Sequence, residues 1–479
     1  MSRNVARRPA RHAGFGTAGT VVIVAASIIF GAVATIAVVE GVALSHHNNS
    51  AAPPTTQAPP TTTTARPTTT ARPTTTQRVT TTTSRAEALA QLLSRVHLSP
   101  ANGSPRAPLN SIVTVQAAGA QLKMVQVSVS PAPPVHGGNA LAGRLNPAAG
   151  VWQSTGSLYP NTTYTVNYVV SGTVGTATGL VAHGSKTFRT APPGQTVNAT
   201  VFPTPGISVG IGEPIIFVFT QPIDTYAAQQ AVLSHIHIAM SQPVPGGWHW
   251  FSSVELHFRP THYWPVGDGV QVSADLNDWN IGGGAWGAGT LSTSFIIGES
   301  RISTVNLATH EMTVTENGKV LYTFPISAGS VKDPTMDGTH IVMDRESEVD
   351  MNSATVGIPK GSPGAYNLKV YWDVHISDSG EYVHAAPWSL SAQGLENVSH
   401  GCVNLSPARA ILFFRFSRVG DIVQVVGGPR PPLMGDHGVM DWSFGPSVVA
   451  WTPATVTQLT TSVTTIPTTT TPPPPGAPT

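Results

Sequence analysis

The chain has one cysteine, Cys402, among 479 residues. No internal disulfide can form, so the thiol is open to other uses. It sits in Ser399-His400-Gly401-Cys402-Val403-Asn404-Leu405-Ser406, and His384-Ala385-Ala386-Pro387-Trp388 lies shortly upstream. A free thiol titrates near 8.5, and its thiolate is the nucleophile. A nearby imidazole can take the proton and leave a thiolate–imidazolium pair. His400 and His384 both qualify. His400 is close in sequence, but a tight loop through Gly401 would turn it aside. His384 is distant enough to arrive from another strand, which makes it the better candidate base. Gly401 allows a backbone geometry that aims amide N–H groups at a developing oxyanion. Such a set could perform acyl transfer through a thioester. The opposing reading is a buried, inert thiol. On these residues alone the two readings stand level.

Other reactive residue types carry less. His235 and His237 alternate along a predicted strand, with His249 and His257 following. No cysteine or carboxylate cluster accompanies them, so they read as satisfied or exposed strand histidines rather than metal ligands. Trp248 and Trp250 read as packing residues rather than a glycan-stacking surface. Asp275, Asp278 and Trp279 read as loop residues. Asp441-Trp442 is expected to pack the final segment back onto the fold, and His375 and His437 read as structural.

Elements must hold the thiol and its base in place. Charged residues are only 10% of the chain, the net charge is +1, and the body has no basic block. Nucleic acid is therefore excluded as a partner. Abundant Gly and Pro with few charges predicts a mainly β protein with many turns. Residues 1–19 form a basic N-terminus with Arg3, Arg7, Arg8 and Arg11. An uncharged stretch at 20–39 follows, long enough to span a bilayer, and the anchor is assigned to 20–44. The basic flank predicts a cytoplasmic N-terminus, with everything after the span outside. Residues 45–84 are a Thr/Pro-rich linker in which ARPTTT occurs twice; extended at ~3.1 Å per residue it reaches on the order of 100 Å. Residues 456–479 share that composition and are expected to be disordered.

Ser84-Arg85-Ala86-Glu87 reads as a capping box opening a helix over about 85–96. Short alternating strands then predict two immunoglobulin-like sandwiches, over 85–193 and 194–299. A third domain spans 300–428, with a hairpin at Glu316-Asn317-Gly318 and a helix at 407–417 capped by Ser406. Residues 429–455 form a C-terminal packing segment.

The stretch from His384 to Ser406 resembles the signature of the L,D-transpeptidase (YkuD-type) catalytic domain. There, a histidine is followed at similar spacing by Ser/Thr-His-Gly-Cys-x-Asn. Tyr366, Trp372, Met343 and Ser379-Gly380 upstream, and Ser406-Pro407 and Gly420-Asp421-Ile422-Val423 downstream, also match. The resemblance covers roughly 200–455, and the anchor, linker and two immunoglobulin-like domains are similar to the mycobacterial type. It implies Cys402 as nucleophile and His384 as base and acid. Gly401 and Cys402 N–H groups, with the Tyr366 hydroxyl, would form the oxyanion site. His400, Ser399 and Asn404 would shape the pocket; Tyr366, Met343, Trp388, Ser379 and Gly380 would line the donor site. Where several relatives have a serine after the first histidine, this chain has Ala385. If that residue acts through its carbonyl, alanine serves equally; if the hydroxyl matters, activity falls.

The implied reaction releases D-Ala from a donor tetrapeptide stem of peptidoglycan and forms a 3→3 link between diaminopimelate residues. It needs no metal or other cofactor and takes place outside the membrane in the cell wall. Carbapenems would acylate the same cysteine. The competing readings are an L,D-carboxypeptidase or wall-protein amidase using the same thiol, or an inactive wall-binding spacer.

Overall fold

The computed structural model describes residues 84–131, 139–277, 279–282 and 284–463. The expected basic N-terminus, the apolar span and the linker before residue 84 lie outside the described residues, as do Asp278 and the tail beyond 463. Among the described residues no helix is long and apolar enough to cross a membrane.

The first helix, Arg85–Ser94, starts on the expected capping box. Ser84 Oγ accepts from the Glu87 amide at 3.2 Å, and the Glu87 carboxylate accepts from the Ser84 amide at 2.8 Å. Its Ala88 and Leu92 are buried in the core of the first sandwich. That sandwich pairs a four-stranded sheet with the three long strands Gln121–Ser130, Thr163–Val174 and Ala177–Arg189. Alternation along Thr163–Val174 sends Tyr164, Val166, Tyr168 and Val170 inward, where the Tyr164 ring stacks on Phe188.

The second sandwich packs two five-stranded sheets around Phe217, Trp248, Phe258 and Phe295. Trp248 is thus a core residue, as expected, and Trp250 packs against the same core. Two features depart from the sequence reading. Tyr226–Leu233 is a helix, capped by the Thr225 hydroxyl. The folded part also continues past residue 455. Thr452–Pro453 pairs with Gly246–Ser252, and Val456–Gln458 adds a parallel edge strand to Ile236–Met240. The Thr/Pro composition predicted disorder there, but short β-branched residues can still pair with an open sheet edge.

The third domain has a five-stranded sheet and a four-stranded sheet. Its hairpin from Glu311–Glu316 to Lys319–Pro325 turns through Asn317 and Gly318 at φ 49° and 76°. Both central residues are left-handed, as a tight hairpin of this type requires. The helix Pro407–Phe416 forms as expected, and Ser406 takes the N-cap position. Its hydroxyl, however, caps no backbone amide and instead accepts from Arg409 Nη1 at 3.4 Å.

The second sandwich and the third domain are joined through backbone and core. Gly210 N–H donates to the Val419 carbonyl at 2.7 Å and Gly212 N–H to the Gly420 carbonyl at 2.9 Å. A Cβ at Gly210 would lie 2.2 Å from the Asp421 nitrogen, so only glycine fits this approach. Ile341 and Ile422 from the third domain complete the sandwich core. Asp441 and Trp442 dock the final segment, with the indole N–H on the Gly212 carbonyl at 2.7 Å and Arg259 over the Trp442 ring.

Candidate active site

The sheet that carries the site runs Asp344–Asn352, Asn367–Ser377, Glu381–Ala385, Val403–Leu405. The last two strands are parallel, with His384 opposite Asn404. Side chains two apart share a face, so Cys402, Asn404 and His384 point the same way. Asn367–Ser377 carries a bulge opposite His384, where Trp372 takes φ 57°. An extra residue at such a point re-aims side chains next to it.

A pinned turn delivers Cys402 to its strand. Ser399 Oγ donates to the Cys402 carbonyl at 2.6 Å and accepts from the Gly401 amide at 3.1 Å. Buried Thr335 donates to the Gly401 carbonyl at 2.7 Å. Gly401 holds φ 127°, which disfavours any side chain. The Gly401 N–H is thus engaged by the Ser399 hydroxyl, where the sequence reading expected it free for an oxyanion. The local serine hydroxyl outcompetes that role by closing its own turn.

His384 is buried, and its Nδ1 lies 3.0 Å from the Ala385 carbonyl. That contact fixes the N–H on Nδ1 and leaves the Nε2 lone pair unprotonated. Burial pushes the imidazole down to about 4. Burial likewise pushes the Cys402 thiol up to about 12; the Tyr382 amide opposes this, while Glu381 and Asp373 add to it. Both partners therefore rest neutral, rather than as a thiolate–imidazolium pair. The thiol donates to the Gly380 carbonyl at 3.7 Å.

A cavity of about 230 Å³ opens on this face. Cys402, His384, His400, Ser399, Asn404, Tyr366 and Trp388 all line it. Tyr366 and His400 rings lie 5.2 Å apart, and Trp388 lies 6.0 Å from His384 with its side chain largely exposed. Burial, and then the neighbouring Cys402, raise the Tyr366 hydroxyl above its ordinary value. Asn404 Nδ2 donates to Ser389 Oγ at 3.1 Å, and Ser389 donates to the Ala386 carbonyl.

Met343 is not at the cavity. It packs against the core of the second sandwich, and its amide donates to the His375 carbonyl. Met351 takes the wall instead, paired across the sheet with Leu368, which also lines the cavity. Sequence reading missed Met351, Leu368, Val398 and Thr335. The register of Asp344–Asn352 against Asn367–Ser377 would have found the first two. Ser379 faces away from the cavity, toward Ser377 and Asp436, while Gly380 meets the thiol through its carbonyl.

A family model described as "L,D-transpeptidase catalytic domain" matches residues 300–425, and one described as "Bacterial Ig domain" matches 104–280. The chain is 38% identical over 308 residues to "L,D-transpeptidase 2" of Mycobacterium tuberculosis, spanning 64% of this chain and 73% of that one. The chain belongs to the L,D-transpeptidase family. "L,D-transpeptidase 1" of the same species is 37% identical over 229 residues, covering 48% of this chain and 84% of its own. Among solved structures, an L,D-transpeptidase in complex with imipenem is 36% identical, covering 49% of this chain and 100% of its own, with a TM-score of 0.43. L,D-transpeptidase 3 from Mycobacterium tuberculosis with a faropenem-derived adduct is 31% identical, over 49% of this chain and 99% of its own, with a TM-score of 0.42.

In this L,D-transpeptidase the residue after the first histidine contributes its carbonyl. Ala385 supplies that oxygen as well as a serine would, so the hydrogen bond to His384 Nδ1 is intact.

Proposed function

We propose that this enzyme forms 3→3 cross-links in peptidoglycan through a Cys402 thioester. One observation carries the reading: His384, with its Nδ1 on the Ala385 carbonyl, shares a cavity with the Cys402 thiol on the neighbouring parallel strand. The thiol proton moves to His384 Nε2 as Sγ attacks the amide between diaminopimelate and the terminal D-Ala of a donor stem. Two neutral groups cost less to keep buried than an ion pair, so charge develops only when substrate arrives. With Gly401 N–H engaged, the oxyanion falls to the Cys402 N–H and the Tyr366 hydroxyl. His384 then protonates the leaving D-Ala amine as the C–N bond breaks, leaving a thioester.

The diaminopimelate side-chain amine of a second stem attacks the thioester carbonyl. It passes its proton to His384, and the thiolate leaves and recovers that proton. Met351, Leu368 and Trp388 give the donor an apolar wall, and His400 and Ser399 its polar edge. The same thiol would open a carbapenem ring. The apolar stretch at 20–39, with arginines before it, supports a membrane anchor and an outward-facing catalytic domain.

The test is incubation of the purified full chain with disaccharide-tetrapeptide, read by mass spectrometry. A dimer that has lost one D-Ala is expected. Tripeptide alone would mean that water resolves the thioester and the protein is a carboxypeptidase. No product of either kind would overturn the enzymatic reading.

A further inference from the structure

Away from the thiol, three segments bring ligating side chains to one point. Glu255 and His257 stand two apart on the strand Glu255–Pro260, so they share a face. His437 arrives from the C-terminal segment. Glu255 Oε1 lies 2.7 Å from His257 Nε2 and 3.0 Å from His437 Nε2. One ligand atom from each of the three residues lies within 4.8 Å of the others. The outward nitrogens are both engaged: His257 Nδ1 meets Asp441 at 2.9 Å, and His437 Nδ1 meets the Asp378 carboxylate. The Phe251 ring covers both imidazoles, with centroids 4.9 Å from His257 and 4.1 Å from His437. His257 is fully buried, whereas His437 stays partly open at the rim.

With each Nδ1–H donated to a carboxylate, both Nε2 lone pairs converge on a third carboxylate. Only positive charge makes that stable. Two extra protons would supply it, and so would one divalent cation, at the same total charge. Two imidazole nitrogens and one carboxylate oxygen, with an open position at the rim, form a donor set that suits Zn²⁺. A carboxylate behind each metal-bound imidazole is the usual way such ligands are oriented.

We propose that Glu255, His257 and His437 form a binding site for a Zn²⁺-class divalent cation, with Asp441 and Asp378 orienting the two imidazoles. The cation would tie the second sandwich to the C-terminal segment. It would also reach the thiol's surroundings. Asp378 opens the turn to Gly380, whose carbonyl accepts from Cys402. Asp436, beside His437, already holds that turn through Ser377 Oγ and the Asp378 and Ser379 amides. The proposal does not depend on which reaction the thiol performs.

The purified full chain, stripped with chelator, is titrated with Zn²⁺ alone in a calorimeter. Metal content is measured after gel filtration, and Co²⁺ substitution is read by its visible spectrum. One Zn²⁺ per chain is expected in the wild type and in Cys402→Ala. His437→Ala and Glu255→Gln should each weaken binding by about 100-fold, and Asp378→Asn by about 10-fold. Circular dichroism checks each variant's fold. Asp378 is exposed, so its variant still reads the site if a buried substitution unfolds the protein. Equal binding in wild type, His437→Ala and Asp378→Asn would place the metal elsewhere and overturn the proposal. Loss of binding in Cys402→Ala would move the metal to the catalytic pair and overturn it too. So would a wild type that takes up no Zn²⁺.

Discussion

His384 and His257 are both buried imidazoles on strands, yet their surroundings drive them in opposite directions. Among the described residues the His384 ring hydrogen-bonds to one carbonyl, that of Ala385, and burial pushes it down to about 4. His257 is buried just as deeply. Burial pulls it down as well, but the Asp441 and Glu255 carboxylates outweigh that and hold it up at about 9. A buried histidine facing a neutral dipole keeps a lone pair and serves proton transfer. One facing two carboxylates gathers positive charge, as a second proton or a bound cation, and its value lies in holding segments together. Residue type does not separate the two; the partners do.

The comparison is broken most severely at the thiol. Cys402→Ala should abolish product in the tetrapeptide assay and should carry no covalent carbapenem adduct by intact mass. A variant that retained either would place the chemistry elsewhere. His384→Gln comes next. It keeps a donor for the Ala385 carbonyl but removes the proton acceptor, so turnover should fall by about 10²–10⁴-fold. Its unfolding midpoint should stay near wild type. A loss of stability matching the loss of rate would mean that His384 is structural.

His257→Gln should do the reverse. It takes the cationic partner away from the buried Glu255 and Asp441 carboxylates, at a cost of about 3–5 kcal/mol. Urea unfolding with chelator present measures this, and carbapenem acylation of the folded fraction should change by less than about tenfold. If acylation collapsed while stability held, the division between the two histidines would be wrong.

Asp373 offers a smaller and pH-dependent test. Neither of its carboxylate oxygens has a hydrogen-bond partner among the described residues. Burial, with Glu346 adding to it, pushes it up to about 8. The folded state then binds this proton more tightly than the unfolded chain. Its contribution to stability is full below about pH 4 and is lost as pH rises toward about 8, by at most about 1.4 kcal/mol per unit. Asp373→Asn should flatten that slope and raise stability at pH 8 by roughly 2–4 kcal/mol. Unfolding midpoints at pH 5 and pH 8 measure both, and a variant that keeps the wild-type slope would show that another group causes it.

The parts of the molecule that were legible in sequence are those whose signal is local. The capping box at Ser84–Glu87, the Asn317-Gly318 hairpin and the Ser-His-Gly-Cys turn each depend on residues within a few positions. The parts that were not legible depend on pairing between distant segments. Met343 and Met351 look alike in sequence, and only the strand register decides which reaches the cavity. His257 and His437 read as unrelated structural residues because Glu255 is their shared partner only after the C-terminal segment docks. His257 does have carboxylate partners: Glu255, two residues before it on the same strand, was a local signal passed over, and only Asp441 depends on the docked C-terminal segment. His375 also finds partners in the fold, namely Asp344, the Ser377 carbonyl and the Tyr382 ring. Gly401 was the opposite case: its motif was plain, but a neighbouring hydroxyl changed what its N–H does.

The smallest effect is expected at Ala385. Ala385 differs from serine only by a hydroxyl, and the oxygen that meets His384 Nδ1 belongs to the backbone. The Ala385 side chain is itself 2% exposed and packed in the domain core. A serine there would have to bury a hydroxyl, at a cost of about 1–3 kcal/mol if it found no acceptor. Ala385→Ser should therefore leave turnover within about threefold of wild type, or lower stability slightly without raising the rate. A large gain in rate would mean that the hydroxyl does take part. His384 would then need two groups to orient it, and the contrast with His257, whose two ring nitrogens both meet carboxylates, would narrow.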